Sequence, residues 1–226
     1  MLKIGSFSGW LAVTLVAVAA TTLPASAQST NAHPVITMNA AMLDSSELPF
    51  VGKDARQAFV DAVKKLKSGD YSDYVFAASP DGKVWSDRTA AGNKEVASVE
   101  DLARRALEAC EYWDHAPCVI LSINGHDARD ATGSWPVQPQ MLEYGPSAFD
   151  AQRVPFVTQA DRSSIGDYGK STEPRALILT DLGDWYWDTG KTVLEAIAST
   201  ASECEKNHSA SDCLLYAVGN RVVLQP

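Results

Sequence analysis

The sequence predicts an α+β fold written twice: two ββαβ-like lobes with a pseudo-twofold relation, each closed by one helix-to-strand disulfide. Three observations predict it. Leu48-Pro-Phe-Val51 recurs as Val154-Pro-Phe-Val157, and in both an arginine follows the Phe by six positions, Arg56 and Arg162. Two apolar runs each meet a glycine-bearing turn and an aromatic return. Two amphipathic segments each end at a cysteine, and a second cysteine opens the apolar run that follows.

The elements follow in matched order. Tyr74-Val-Phe-Ala-Ala-Ser79 and Arg175-Ala-Leu-Ile-Leu-Thr180 read as strands. Pro80-Asp-Gly82 and Asp181-Leu-Gly183 then turn the chain, since a Gly between apolar runs supplies the backbone freedom a hairpin needs. Lys83-Val-Trp85 and Asp184-Trp-Tyr-Trp187 return. Ser98-Val-Glu-Asp101 and Thr192-Val-Leu-Glu195 open helices, because a Ser or Thr hydroxyl can take the N–H three residues on and an acid there favours the helix start. Val99, Leu102, Ala103, Ala106, Leu107 and Cys110 share one stripe, and Val193, Ala196, Ile197, Thr200, Ala201 and Cys204 repeat it in phase. Cys118-Val-Ile-Leu-Ser-Ile-Asn124 and Cys213-Leu-Leu-Tyr-Ala-Val-Gly219 close the copies as strands.

This order divides the chain into a signal peptide (1–27), an N-terminal arm (28–47), a first lobe (48–128), a linker or surface loop (129–153) and a second lobe (154–226). Lys3, the apolar run from Trp10 to Ala20 and the small residues Ala25 and Ala27 form a secretory signal pattern, shorter than a bilayer span. Its removal would take away one lysine and no acid from a chain of formal charge −9. So acidic a protein repels nucleic acid and anionic lipid, and no membrane span is expected after cleavage. The expected location is periplasmic or secreted.

Four cysteines allow three pairings. An oxidising compartment favours disulfides, and the repeat selects Cys110–Cys118 and Cys204–Cys213. The intervening stretches, CEYWDHAPC and CEKNHSASDC, each hold a histidine, yet His115 follows its cysteine by five positions and His208 by four. A zinc site inherited by duplication would keep its geometry, and paired zinc cysteines stand closer in sequence. No metal or cofactor is therefore expected. His115 and His208 read as solvent-exposed loop residues.

The chain carries no G-x-S-x-G, H-E-x-x-H, P-loop or G-x-G-x-x-G motif, and no catalytic residue is assigned. The strongest surface candidate is Asp184-Trp-Tyr-Trp-Asp188, where Trp185 and Trp187 share a strand face and Asp184 and Asp188 supply acids. Trp113, inside the first cysteine loop, is a second exposed aromatic candidate. Phe50, Arg56, Phe156 and Arg162 read as repeat anchors, with aromatic rings in the core and guanidinium groups bonding carboxylates or carbonyls.

The runs PFV, SPDG-x-VW, SVEDLARRALEAC and CVILSING, with their second copies, resemble poorly characterised secreted proteins of alphaproteobacteria. These carry one or two units of Gly-Trp hairpin, A-x-x-x-A-L-x-x-C helix and Cys-led strand. The resemblance runs from Leu48 to the C-terminus and implies architecture. Thr200-Ala201 departs from the Ala-Leu of the pattern. Some relatives bear the label 5-aminolevulinate synthase, a remote alternative that would need a larger fold, a Schiff-base lysine and pyridoxal phosphate. The residues favour a binding or interaction module over an enzyme, with an envelope protein or glycan as partner. The alternative is an envelope glycan- or peptide-directed hydrolase using Asp or Glu side chains.

Overall fold

The computed structural model describes residues 33–48, 50–90 and 98–225. The expected signal segment and the first residues of the arm lie outside them. The first lobe runs α1 (Lys53–Ser68), β1 (Asp73–Ala78), β2 (Trp85–Ala90), α2 (Val99–Asp114), β3 (Val119–Ile123) and β4 (His126–Asp127). The second repeats the series as α3 (Gln159–Lys170), β5 (Arg175–Leu179), β6 (Trp185–Thr189), α4 (Val193–Glu205), β7 (Leu214–Val218) and β8 (Arg221–Val222). Each lobe holds one antiparallel four-stranded sheet, ordered β2-β1-β3-β4 and β6-β5-β7-β8. The fold is α+β and the two lobes are alike. Even an irregularity recurs: the pairing of β1 with β3 slips between Phe76 and Ala77, and that of β5 with β7 between Leu177 and Ile178.

Alternation along the central strand sets the layers. In the first lobe Val75 and Ala77 meet Leu102, Ala103, Ala106 and Leu107 of α2, while Tyr74, Phe76 and Ala78 meet Ala55, Phe59 and Ala62 of α1. The sheet thus lies between two helices. The segment after each Pro-Phe-Val, which reads as a short lead-in, is a full helix. Ala55, Phe59 and Ala62 recur at helical spacing and form its buried stripe. Gly69 stops α1 at φ 81°, with its N–H on the Leu66 carbonyl. Thr158 starts α3 by accepting the Asp161 N–H. The likeness also reaches upstream. Met42 bridges His126 and Ala148 bridges Arg221, and Asp44 and Asp150 each cap a 3-10 turn.

Both caps expected for the long helices form: Ser98 accepts from the Asp101 N–H and Thr192 from the Glu195 N–H. Gly82 and Gly183 turn the hairpins at φ 72° and 103°. Both disulfides join a helix to the strand region after it, Cys110–Cys118 and Cys204–Cys213, each with Cα atoms 6.1 Å apart. These loops close eight and nine residues of sequence separation, which the chain-entropy relation makes worth about 2.5 kcal/mol each. The double substitution Cys204→Ser with Cys213→Ser is expected to lower the urea unfolding free energy by about 2–3 kcal/mol. A change under about 0.5 kcal/mol would show that α4 and β7 need no staple.

The lobes meet through α2, which is buried on nearly every side. Its inner stripe packs on its own sheet, while Ala109 and Tyr112 join the core of the second lobe around Phe156 and Val157. A charged row joins them. Arg104 Nη1 donates to both oxygens of Glu108 at 2.7 Å, and its Nη2 reaches Asp101 and the Val157 carbonyl, each at 2.6 Å. Glu108 Oε2 also accepts the Phe156 N–H at 2.7 Å. The carbonyls of the anchor segments are tied alike in both copies: Arg56 reaches Leu48 O at 3.5 Å, and Arg162 reaches Val154 O at 3.0 and 3.2 Å. Phe156 is fully buried edge-on to Tyr112, with ring centroids 5.9 Å apart. Phe50 is half-buried edge-on to Trp135 of the linker at 5.1 Å.

These contacts run one way. The α4 counterparts of Arg104, Arg105 and Glu108 are Ala198, Ser199 and Ser202, which carry no charge to return them. The lobes are alike, but the charged contacts of α2 are not returned by α4. Face meets unlike face, and the corresponding face of α4 is left over.

Candidate interaction site on the second lobe

The site comprises β6, α4 and the loop between Cys204 and Cys213. Its geometry follows from strand alternation. Trp185 and Trp187 pack toward the core that α3 covers, where Trp187 stands edge-on to Tyr168 at 6.3 Å. Asp184, Tyr186 and Asp188 belong to the opposite phase and turn to α4 and its following loop. Asp188 accepts from the Ser199 hydroxyl and from the Thr189 N–H. The Ser199 bond, with that N–H, holds the Asp188 carboxyl below the usual carboxylate range. The Tyr186 hydroxyl lies 3.1 Å from His208 Nε2, and Asp184 Oδ2 lies 3.4 Å from the same nitrogen.

The sheet therefore separates the two tryptophans from the two acids. A sugar ring stacked on the indoles would not face Asp184 or Asp188, so these four residues do not build one stacking-and-acid site. Trp113 stands elsewhere. Its side chain is 48 % exposed, and its indole N–H donates to Asp181 Oδ2 at 2.9 Å, so it meets the turn of the second hairpin and not the strand. Phe50, Arg56, Phe156 and Arg162 serve the anchor segments and the junction.

His115 and His208 differ. His115 is exposed and ends α2 in the left-handed region at φ 58°. His208 is not the solvent-exposed loop residue expected: only 15 % of its side chain is accessible, because the loop folds back on Tyr186. All four cysteines are in disulfides, so none offers a thiolate.

The residues that mark this surface were missed by motif searching, for they form no motif. The signal that could have found them is a comparison of the two copies. Arg104, Arg105, Glu108 and Glu111 lie on the outer side of α2, and Ala198, Ser199, Ser202 and Glu205 take their places on α4. Arg105, Glu108 and Glu111 are buried, whereas Ala198, Ser202 and Glu205 are exposed. Leu194, at the start of α4, is 78 % exposed and Leu182, on the hairpin turn, 63 %. Scans of family models and searches of curated proteins and solved structures return no match to this chain.

Proposed function

We propose that the chain is an exported, disulfide-stapled interaction module of the bacterial cell envelope, and that its second lobe carries the partner-binding face. One observation carries the reading. The outer face of α2 docks onto protein, namely the second lobe, whereas the same face of α4 is small, uncharged over most of its length and open. A helix face of Ala and Ser lets a partner backbone come close without displacing a long side chain. Because the α2 face covers a protein surface, a protein is the partner favoured over a glycan. Two disulfides support an oxidising compartment. A hydrolase acting on envelope glycan or peptide draws less support, since the candidate acids lie across the sheet from the aromatic pair.

The test is capture from envelope extract on the immobilised protein, with three baits. Wild type and a control altered on α1, Lys64→Glu, are expected to retain the same protein. Ala198→Arg with Ser202→Glu is expected to retain at least ten-fold less, since it places long charged side chains across the face. Equal recovery on all three baits would remove the α4 face from the proposal.

A further inference from the structure

The two copies treat one sheet edge differently. β2 and β6 are the outermost strands of their sheets, each paired on one side. The bond from Ser79 N to Val84 O sets the phase in the first lobe, so residues 84, 86, 88 and 90 turn their backbone groups to β1. Residues 85, 87 and 89 turn theirs outward. The bonds from Thr180 N to Asp184 O and from Gly190 N to Pro174 O set the same phase in the second lobe. There Trp185, Trp187 and Thr189 point their N–H and C=O groups away from β5.

An open row of this kind is a template for another strand, and proteins usually guard it with charged side chains. The first lobe does so. Arg88 Nη1 donates to the Asp87 carbonyl at 2.5 Å while its Nη2 reaches the Asp181 carbonyl of the second lobe, so the outward C=O of Asp87 is occupied by a side chain of its own strand. In the second lobe the matching pair is Trp187 and Asp188. Asp188, in the place of Arg88, has no donor for the Trp187 carbonyl. Thr189 N–H is taken by Asp188, whereas the N–H groups of Trp185 and Trp187 find no partner among the described residues. Those two groups stand two residues apart on one edge, the repeat at which an added strand offers carbonyls.

We propose that the β6 edge accepts an extended segment of a partner protein by strand addition, and that this segment alternates apolar or β-branched residues with at least one Lys or Arg. The proposal rests on the reading of the second lobe as the partner-binding lobe. Backbone chemistry selects an extended peptide as the occupant, because only a strand offers carbonyls and N–H groups at the spacing of the edge. Charge selects its side chains. Asp184, 57 % exposed, stands at the start of the edge strand, and the whole chain has a formal charge of −9. A second copy is disfavoured on the same ground: it would bring its own Asp184 and Asp188 to the seam, and like charges across paired strands repel.

The experiment uses the full chain with both disulfides intact, panned against a phage-displayed random decapeptide library. Enriched sequences are synthesised and their affinities measured by fluorescence polarisation. The expected winners alternate apolar and polar residues and carry Lys or Arg. Trp187→Asp with Asp188→Arg transplants the self-capping pair of the first lobe, and is expected to weaken these peptides at least ten-fold while the far-ultraviolet circular dichroism is kept. Should that variant fail to fold, N-methylation of the peptides on wild type decides. Methylating the alternate residues that face β6 should abolish binding, and methylating the residues between them should not. Indifference to methyl position, enrichment of no alternating sequence, or full affinity for the doubly substituted chain would overturn the proposal. So would a wild-type dimer in sedimentation that the double substitution dissolves, because the edge would then belong to a second copy. If Ala198→Arg with Ser202→Glu still lost its envelope protein while the peptide arm failed, the interaction module would stand and strand addition would fall.

Discussion

Glu108→Ala is expected to cost about 3–5 kcal/mol of unfolding free energy, because it removes one partner of a buried ion pair and strands the other. The carboxylate is 5 % exposed and serves both lobes at once. It takes Arg104 on both oxygens, accepts the Phe156 N–H and lies 3.9 Å from Arg162. Without it Arg104 and Arg162 stay buried with less opposing charge, and the Phe156 N–H loses its acceptor. The backbone adds to the loss. Phe156 stands at φ 68°, and Val157 N–H closes onto the Pro155 carbonyl at 2.8 Å, a tight three-residue turn of positive φ that few non-glycine residues adopt. Arg104 and Glu108 hold that turn from either side. Glu108→Gln keeps an acceptor for the Phe156 N–H and should cost less than the alanine. Urea denaturation of the two variants measures both; losses under 1 kcal/mol in each would show that the junction does not depend on this carboxylate.

The second large effect is one of pH. Glu111 is 1 % exposed, and its Oε2 accepts the N–H groups of Met141 and Leu142, tying the linker to α2. Burial pushes its carboxyl up to about 7; the two N–H bonds work against that push without overcoming it, and neighbouring Glu108 adds to it. Its Oε1 is buried without a hydrogen-bond partner, as suits an acid that keeps its proton. The folded chain therefore binds a proton that the unfolded chain, with an ordinary carboxyl near 4.5, gives up sooner. This contribution is complete below about pH 4.5, declines as the pH rises to about 7 and is lost above it. Its size is about 3 kcal/mol. Glu111→Gln cannot ionise, so the stability of wild type relative to this variant should fall across that window. Chemical denaturation at pH 5, 6, 7 and 8 reads it. A relative stability that rises with pH would place the proton on the other side of the equilibrium.

What the residues disclosed, and what they withheld, follows from how local each signal is. Hairpin glycines, Ser98 and Thr192 as caps, and cysteines at matched corners act within a few residues, and the second copy repeats them, so the lobes and their staples were legible. α1 was not, because its stripe of Ala55, Phe59 and Ala62 is thin and runs among many charges. β4 and β8, two residues each, carry no period to read. The charged side of α2 resembles a solvated face in any single copy. Its burial depends on Phe156 and Val157, which arrive about fifty residues later in the chain. The aromatic strand was half legible: alternation puts Trp185 and Trp187 together, and the same alternation parts them from Asp184 and Asp188. The seat of His208 on Tyr186 depends on how a disulfide loop folds back, which spacing alone does not state.

Trp135 gives the molecule a direction. Its indole donates to the Leu121 carbonyl, Arg129 lies over its ring at 5.2 Å, and its edge covers Phe50 much as Tyr112 covers Phe156. The first lobe thus wears a lid of its own linker where the second is covered by a neighbouring helix. One end is sealed and the other is open, so the copies are not interchangeable. A chain with its lobes exchanged would bring the uncharged α4 face to a turn that needs Arg104 and Glu108, and would leave that charged row facing water. The two lobes share one plan, yet the outer face of α2 is set into the junction and the matching face of α4 is left exposed.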